Sequence, residues 1–223
     1  FLINKSKSMK KILLLLMLLL PMVSMAQRGR NDNNQSRYLA GAVPMVNGYV
    51  QFDKTYYIKG KDKATLMAEL RDYVQKELVD GEDQLPQARI TEVSPDSGII
   101  AASIEEYMYF KRTSWQTHCV RFYYQLVLQV EDGKFTATMR RLHYRYDPEI
   151  TAGEFDEDRR AEQWITDDAA LTKNGTKLQR VSGKFRVFTI DRKNEVFRGL
   201  AKAAGAVVKK KVTKTVEVEE EEE

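Results

Sequence analysis

Residues 121–144 read RFYYQLVLQVEDGKFTATMRRLHY, and this stretch decides the fold because it predicts a long β-hairpin. Asp132-Gly133 is a strong two-residue turn signal between two segments in which polar and apolar residues alternate. When Glu131 is paired with Lys134, most apolar side chains fall on one face, and a slip of one residue would destroy this segregation. The pairs predicted on that face are Val130/Phe135, Leu128/Ala137, Leu126/Met139, Tyr124/Arg141 and Phe122/His143.

The opposite face of the hairpin carries the candidate site. Its predicted pairs are Gln129/Thr136, Val127/Thr138, Gln125/Arg140, Tyr123/Leu142 and Arg121/Tyr144. Tyrosine offers a flat contact area with a polar tip, and arginine stacks on aromatic rings. We therefore predict that this face binds a ligand; the alternative is that tyrosine is simply a good strand former on a half-exposed sheet. The predicted binding residues are Arg121, Tyr123, Arg140 and Tyr144, and Tyr49, Tyr57, Tyr107 and Tyr109 share their parity.

The flanking segments complete an α+β pattern. Alternation predicts strands at residues 49–58, 89–93 and 99–110. Asp62 is a plausible N-cap for an amphipathic helix that reaches about residue 79, and a second long helix is predicted at about residues 191–204. A short helix is expected around residues 166–171. The order β-α-β-β-β-β-α predicts a two-layer domain, in which a five-stranded antiparallel sheet carries helices on one face.

Several segments resemble a known family. They read GYVQFDKT at residues 48–55, GKDK at 60–63 and YQL at 124–126 running into EDGKF at 131–135, with GKFR at 183–186 and TID at 189–191. With them the chain resembles an uncharacterised domain family of exported Bacteroidetes proteins that has a TATA-binding-protein-like fold. The likeness covers residues 45–146 and extends more weakly to about 204. These motifs are structural, so the resemblance implies a fold and export but no catalytic residue.

The N-terminal residues have the pattern of an export signal. Lys10-Lys11 precede an apolar run, and Ser24 and Ala26 supply small residues before a cleavage point. The run is about 14 residues long, shorter than the roughly 20 that a membrane-spanning helix needs. We expect cleavage after Ala26, a periplasmic or secreted protein with no stable membrane span, and no lipid anchor, because no cysteine lies near the cleavage point.

Composition indicates one globular domain with polar ends. With 43% hydrophobic and 10% aromatic residues the 223-residue chain can bury a core, and its single cysteine excludes a disulfide-stapled scaffold. Four of the 36 basic residues lie in residues 1–26, which leaves 32 basic against 32 acidic residues. The predicted organisation is a signal segment over 1–26, a polar linker over 27–44, the sheet domain over 45–146, a helical C-terminal extension over 147–206 and a charged disordered tail over 207–223.

No recognisable catalytic or metal motif is present. His118 and Cys119 are neighbours on a predicted strand and point to opposite faces, so they cannot form a nucleophilic dyad. Two histidines on separate strands do not suggest a zinc site. Carboxylates occur on a strand and in a loop, and a glycosidase would need two of them across a cleft. These carboxylates are Glu105, Glu106, Glu154, Asp156, Glu157 and Asp158.

The sequence therefore favours a non-enzymatic binding or structural module of the bacterial envelope, without a cofactor, that takes a protein, peptide or glycan. A small periplasmic hydrolase without a recognisable motif is the alternative. Nucleic-acid binding is suggested only by analogy of fold, and a net charge of zero after signal removal gives no basic footprint for it.

Overall fold

The structure, a computed structural model, describes residues 35–146 and 158–206. The chain divides into two units, residues 1–38 and 39–223; within the first, Ser36–Tyr38 form a short 3-10 helix. The predicted signal segment, most of the predicted linker and the predicted charged tail lie outside the described residues. Among the helices described, none is both long and apolar enough to cross a membrane.

The second unit contains an antiparallel sheet and four α-helices among its described residues. The strands are β1 Met45–Val46, β2 Tyr49–Tyr57, β3 Arg89–Ser94, β4 Ile99–Arg112, β5 Thr117–Glu131, β6 Lys134–Arg145 and β7 Arg159–Arg160. The helices are α1 Lys63–Tyr73, α2 Ala161–Trp164, α3 Asp167–Ala170 and α4 Ser182–Ala203.

The strands lie in the order β1-β2-β6-β5-β4-β3. The short strand β7 pairs with His143 and Tyr144 of β6, beyond the part of β6 that pairs with β2. The α+β class, the antiparallel sheet and the helices on one side are thereby confirmed. The sheet has seven strands rather than five because the two-residue strands β1 and β7 add to its edges. Such short strands carry no periodicity that a sequence pattern can reveal.

Helix α1 begins where the sequence predicts. Asp62 caps it by accepting a hydrogen bond from the backbone N–H of Thr65 at 2.8 Å, and this bond holds the pKa of Asp62 below its usual range. The helix continues as π-helical turns over Val74–Val79, so the predicted extent to residue 79 is confirmed with a change in hydrogen bonding. Its buried residues include Leu66, Leu70, Val74 and Leu78.

Helix α4 begins at Ser182, nine residues before the predicted start at 191. The additional turns bury Phe185 and Ile190, but they also bury the polar residues Arg186 and Thr189. These two interrupt the apolar stripe, which is why the pattern does not reveal this half of the helix. Arg186 is 0% exposed, and its guanidinium is satisfied by three oxygens. They are Ile165 O at 2.7 Å, Leu39 O at 2.7 Å and Asp167 Oδ1 at 2.6 Å.

The central hairpin has the predicted register only in part. Pairing follows the prediction from Glu131↔Lys134 to Gln125↔Arg140 and then shifts by one residue. Arg141 is the extra residue of a β-bulge, with a φ of +56° and an exposed side chain. The pairs observed beyond the bulge are Tyr123↔His143, Phe122↔Tyr144 and Arg121↔Arg145, so the predicted pairs Tyr123/Leu142, Phe122/His143 and Arg121/Tyr144 are wrong.

The bulge moves Tyr144 into the core. Its side chain is 0% exposed, and its hydroxyl forms a 2.6 Å hydrogen bond with Thr189 Oγ1 of α4. The ring stacks on Phe122 at a centroid distance of 5.3 Å and meets the edge of Phe185 at 5.0 Å. Burial raises the pKa of Tyr144 above its usual value. The prediction that Tyr144 lies on the binding face is therefore wrong, and Leu142 is buried for the same reason.

Replacing Leu126 with alanine is expected to lower the free energy of unfolding by about 3 kcal/mol, because it leaves a cavity in a packed core. Leu126 is 1% exposed in the confirmed part of the hairpin. The neighbouring Gln125 faces away from the helices and accepts one hydrogen bond from Arg140 Nε at 2.9 Å, so Gln125→Ala should cost less than about 1 kcal/mol. Urea melts of the two variants measure the difference, and equal losses would contradict the observed register.

Candidate functional site

The sheet face opposite the helices presents three rows of side chains across β4, β5 and β6, which are half-buried except for the exposed Ser103. The first row is Glu105, Tyr123 and His143, and the second is Tyr107, Arg121 and Arg145. The third contains Ser103, Gln125 and Arg140. We call the six residues of the first two rows together with Arg140 the open-face patch. The alternating side chains of the same strands point into the helix layer and are buried.

Tyr123 lies at the centre of the open-face patch. Its ring stacks on the imidazole of His143 with a centroid distance of 4.4 Å and an interplanar angle of 6°. Burial and a hydrogen bond to Glu105 raise the pKa of Tyr123 to about 12, while a hydrogen bond with Arg121 acts in the opposite direction. Tyr123 is therefore a neutral hydroxyl at physiological pH, held between an acceptor and a donor.

His143 is fixed from two sides. Its Nδ1 is 3.3 Å from the carbonyl oxygen of Arg141, within the bulge. Its Nε2 is 3.7 Å from Asp158 Oδ1, close enough for an ion pair when the imidazole is protonated. A cavity of ≈ 320 Å³ lies over this part of the patch, lined by Tyr123, His143, Arg145 and Asp158. Aromatic surface beside guanidinium groups suits a ligand that carries carboxylates or flat rings.

The remaining arginines of the open-face patch are placed by neighbouring strands. Arg140 is held by Gln125, and Arg121 lies between Tyr107 and Arg145 in the sheet register. The ring of Tyr107 is 6.0 Å from that of Tyr109 on the same strand. The patch is thus a continuous surface of arginine and aromatic side chains.

Three of the four predicted binding residues lie on this surface: Arg121, Tyr123 and Arg140. The bulge removes Tyr144 and brings in His143, which the predicted register placed among the helix-facing residues. The signal for this exchange is present in the sequence, because the predicted register leaves Leu142 exposed and puts Arg141 on the apolar face. Tyr49 and Tyr57 are exposed at the two ends of β2, at 63% and 79%.

The strand carboxylates do not form a catalytic pair. Glu105 belongs to the open-face patch, whereas Glu106 points into the helix layer and is 3% exposed. Arg192 of α4 donates two hydrogen bonds to Glu106, at 2.8 and 2.7 Å, and Gln84 Nε2 donates a third at 2.7 Å. Burial alone would lower the pKa of Arg192, but the hydrogen bonds and charge of Glu106 raise it above its usual value. Glu106 therefore anchors α4 to the sheet.

The other residues considered for chemistry are dispersed. Cys119 is buried at 2% exposure, and the ring of His118 packs 5.2 Å from that of Phe110. The loop carboxylates at 154, 156 and 157 lie outside the described residues. Within the described parts of the chain, no group of three or more His, Cys, Asp or Glu side chains is arranged to hold a metal ion.

Comparisons with known proteins agree with this architecture. Residues 52–145 match the family model described as a domain of unknown function (DUF4468) with TBP-like fold. The crystal structure of a DUF4468 family protein from Bacteroides ovatus ATCC 8483 superposes with a TM-score of 0.69 at 29% identity, covering 78% of this chain and 96% of that one. A TBP-like protein from Parabacteroides distasonis ATCC 8503 superposes with a TM-score of 0.57 at 17% identity, covering 73% and 97%. No curated protein matches the chain. The predicted family resemblance is confirmed.

Proposed function

We propose that this chain, which matches the TBP-like domains of unknown function (DUF4468) over residues 52–145, is an exported, non-enzymatic binding module whose open-face patch holds a protein or peptide partner. The observation that carries this proposal is the stack of Tyr123 on His143, half-exposed and flanked by Arg121 and Arg145. Rings fixed in this way offer contact area at a low entropic cost, because their side chains are already ordered before binding.

The composition of the patch supports a protein partner. Arginine and tyrosine are enriched among the residues that contribute most to protein–protein binding. Among the residues that the structure describes, Arg121, Arg140 and Arg145 outnumber the carboxylates that contact the patch, Glu105 and Asp158. A partner segment with acidic and aromatic side chains would therefore complement the patch in both charge and shape. Export rests on the N-terminal pattern, with cleavage after Ala26.

The double variant Tyr123→Ala, Arg140→Ala is expected to weaken partner binding by at least about tenfold, since each truncation at an interface centre costs about 1–2 kcal/mol. The partner is first isolated by cross-linking to the mature protein in an envelope extract, and its affinity for each variant is then measured by calorimetry. Folding should persist, because both side chains face away from the helices.

The matched control is the double variant Tyr57→Ala, Arg71→Ala, which removes an exposed tyrosine and an exposed arginine outside the patch. Its affinity should equal that of the unchanged protein. A patch variant that melts normally and retains full affinity would remove the open-face patch from consideration.

A further inference from the structure

Helix α4 borders a cavity of ≈ 360 Å³ on the helix side of the sheet, away from the open-face patch. The helix, β2 and residues 41, 42 and 44 line this open cavity, and its volume lies within the range of small-molecule sites. Phe52 and Phe197, each 3% exposed, give it an apolar floor. The lining side chains that matter most are Phe52, Lys54, Tyr56, Lys193, Phe197 and Arg198.

Lys54, Lys193 and Arg198 line this cavity, and among its described lining residues the one carboxylate is that of Asp53. Within residues 35–146 and 158–206, no carboxylate forms an ion pair with Lys54, Lys193 or Arg198. The carboxylate of Asp53, next along β2, accepts hydrogen bonds from Gln51 Nε2 at 2.8 Å and Thr138 Oγ1 at 2.6 Å. This carboxylate is thus engaged by two hydrogen bonds, and it offsets only one of the three positive charges. The cavity therefore carries an excess of positive charge.

The two ammonium groups lie over aromatic rings. Lys193 Nζ is 5.2 Å from the centroid of Phe52, and Lys54 Nζ is 4.9 Å from that of Tyr56. Lys193 also donates a hydrogen bond to Asn194 Oδ1 at 2.7 Å. Burial and the charge of Lys54 lower the pKa of Lys193, and Asp191 offsets this only in part. A half-buried ammonium beside a like charge is unfavourable, and an anion in the cavity would relieve it.

The excess of positive charge does not extend to the opposite side of α4. There a second cavity of ≈ 570 Å³ is lined by acidic residues, among them Glu77, Asp83, Asp191 and Glu195. The helix thus separates an acidic cavity from a cationic one, and only the cationic one combines its charge with a buried aromatic floor.

We propose that the cationic cavity binds a small organic carboxylate. The carboxylate group lies among Lys54, Lys193 and Arg198, and the carbon body packs on Phe52 and Phe197. A simple inorganic anion would leave the apolar floor without contact, and a neutral molecule would leave the cations uncompensated. This site lies on the opposite side of the sheet from the open-face patch, so the two proposals stand independently.

The test is a titration of the purified, isotope-labelled protein with octanoate and with phenylacetate, followed by amide chemical shifts. At least one of the two carboxylates should bind saturably and shift the amides of residues 52–56 and 193–201. Octan-1-ol, octylamine and inorganic phosphate are the comparison ligands, and each should bind at least about tenfold more weakly, since a charge-assisted contact or the apolar contact is lost.

Lys193→Met and Arg198→Gln should each weaken carboxylate binding by at least about tenfold, as expected for losing one charge-assisted contact. Lys202→Gln changes an exposed lysine of the same helix and should leave the affinity unchanged. Lys193→Met is expected to fold, because it removes a half-buried charge and keeps the aliphatic stem. Thermal melts verify this, and Arg198→Gln provides a second variant. Failure of both carboxylates to saturate, equal binding of octan-1-ol, or unchanged affinity in both cavity variants would overturn the proposal.

Discussion

Replacing Arg186 with methionine is expected to lower the free energy of unfolding by about 3–5 kcal/mol, because the buried carbonyl of Ile165, the half-buried carbonyl of Leu39 and the carboxylate of Asp167 all lose their donor. The guanidinium of Arg186 ties α4 to the carbonyls of Ile165 and Leu39 and to the carboxylate of Asp167. Methionine fills similar volume but donates no hydrogen bond. Urea unfolding followed by circular dichroism measures the loss.

Two further variants separate the role of the planar set of N–H donors of Arg186 from a general effect of its charge. Lys184→Met removes an exposed cation two residues earlier on α4 and should change stability by less than about 0.5 kcal/mol. Arg186→Lys keeps the charge but cannot reach three acceptors in a planar arrangement, so it should recover only part of the stability. A methionine variant as stable as the unchanged protein would show that Arg186 does not hold these segments together.

Replacing Glu106 with alanine is expected to cost about 3–5 kcal/mol, because it leaves the guanidinium of Arg192 in a largely buried position without its main partner. The side chain of Arg192 is 24% exposed, and among the described residues it would retain only the carboxylate of Glu195, which is 68% exposed. Gln84 would lose its acceptor as well. Chemical unfolding of the variant measures the cost.

A double-mutant cycle gives the sharper result for this ion pair. Because replacing both partners by apolar residues leaves no uncompensated charge, the double variant Glu106→Leu, Arg192→Leu should be more stable than the single variant Glu106→Leu. Glu105→Ala is the matched control, since this adjacent carboxylate faces the open-face patch and should cost less than about 1 kcal/mol. If the cycle shows no coupling between Glu106 and Arg192, the pair is not an anchor of α4.

The part of the fold that follows from local rules could be predicted. Asp132-Gly133 and strict alternation determine the hairpin as far as Gln125↔Arg140, and Asp62 determines the start of α1. The first half of α4 could not be predicted, because Arg186 and Thr189 are buried through contacts with distant segments. A buried polar residue whose hydrogen-bond partners are distant in sequence gives the same local sequence pattern as a polar residue on the surface.

The candidate site shows the same division. Strand parity predicts the observed face for Arg121, Tyr123 and Arg140, because all three precede the bulge along the chain. Beyond it, His143 and Tyr144 exchange faces, and parity alone cannot locate an inserted residue. The cationic cavity was not predictable at all, since Lys54 and Lys193 belong to different elements and meet only in the folded protein.

The bulge at Arg141 makes the length of β6 as important as its composition. Its exposed side chain allows replacement, while its left-handed backbone favours glycine or asparagine and disfavours β-branched residues and proline. Deleting this residue has a different effect, because it would reverse the faces of the side chains that follow in β6. Leu142 and Tyr144 would then be exposed to solvent. We therefore infer that during evolution this position can change among residues that tolerate a left-handed backbone, while a gap or an insertion between Arg140 and Leu142 is selected against.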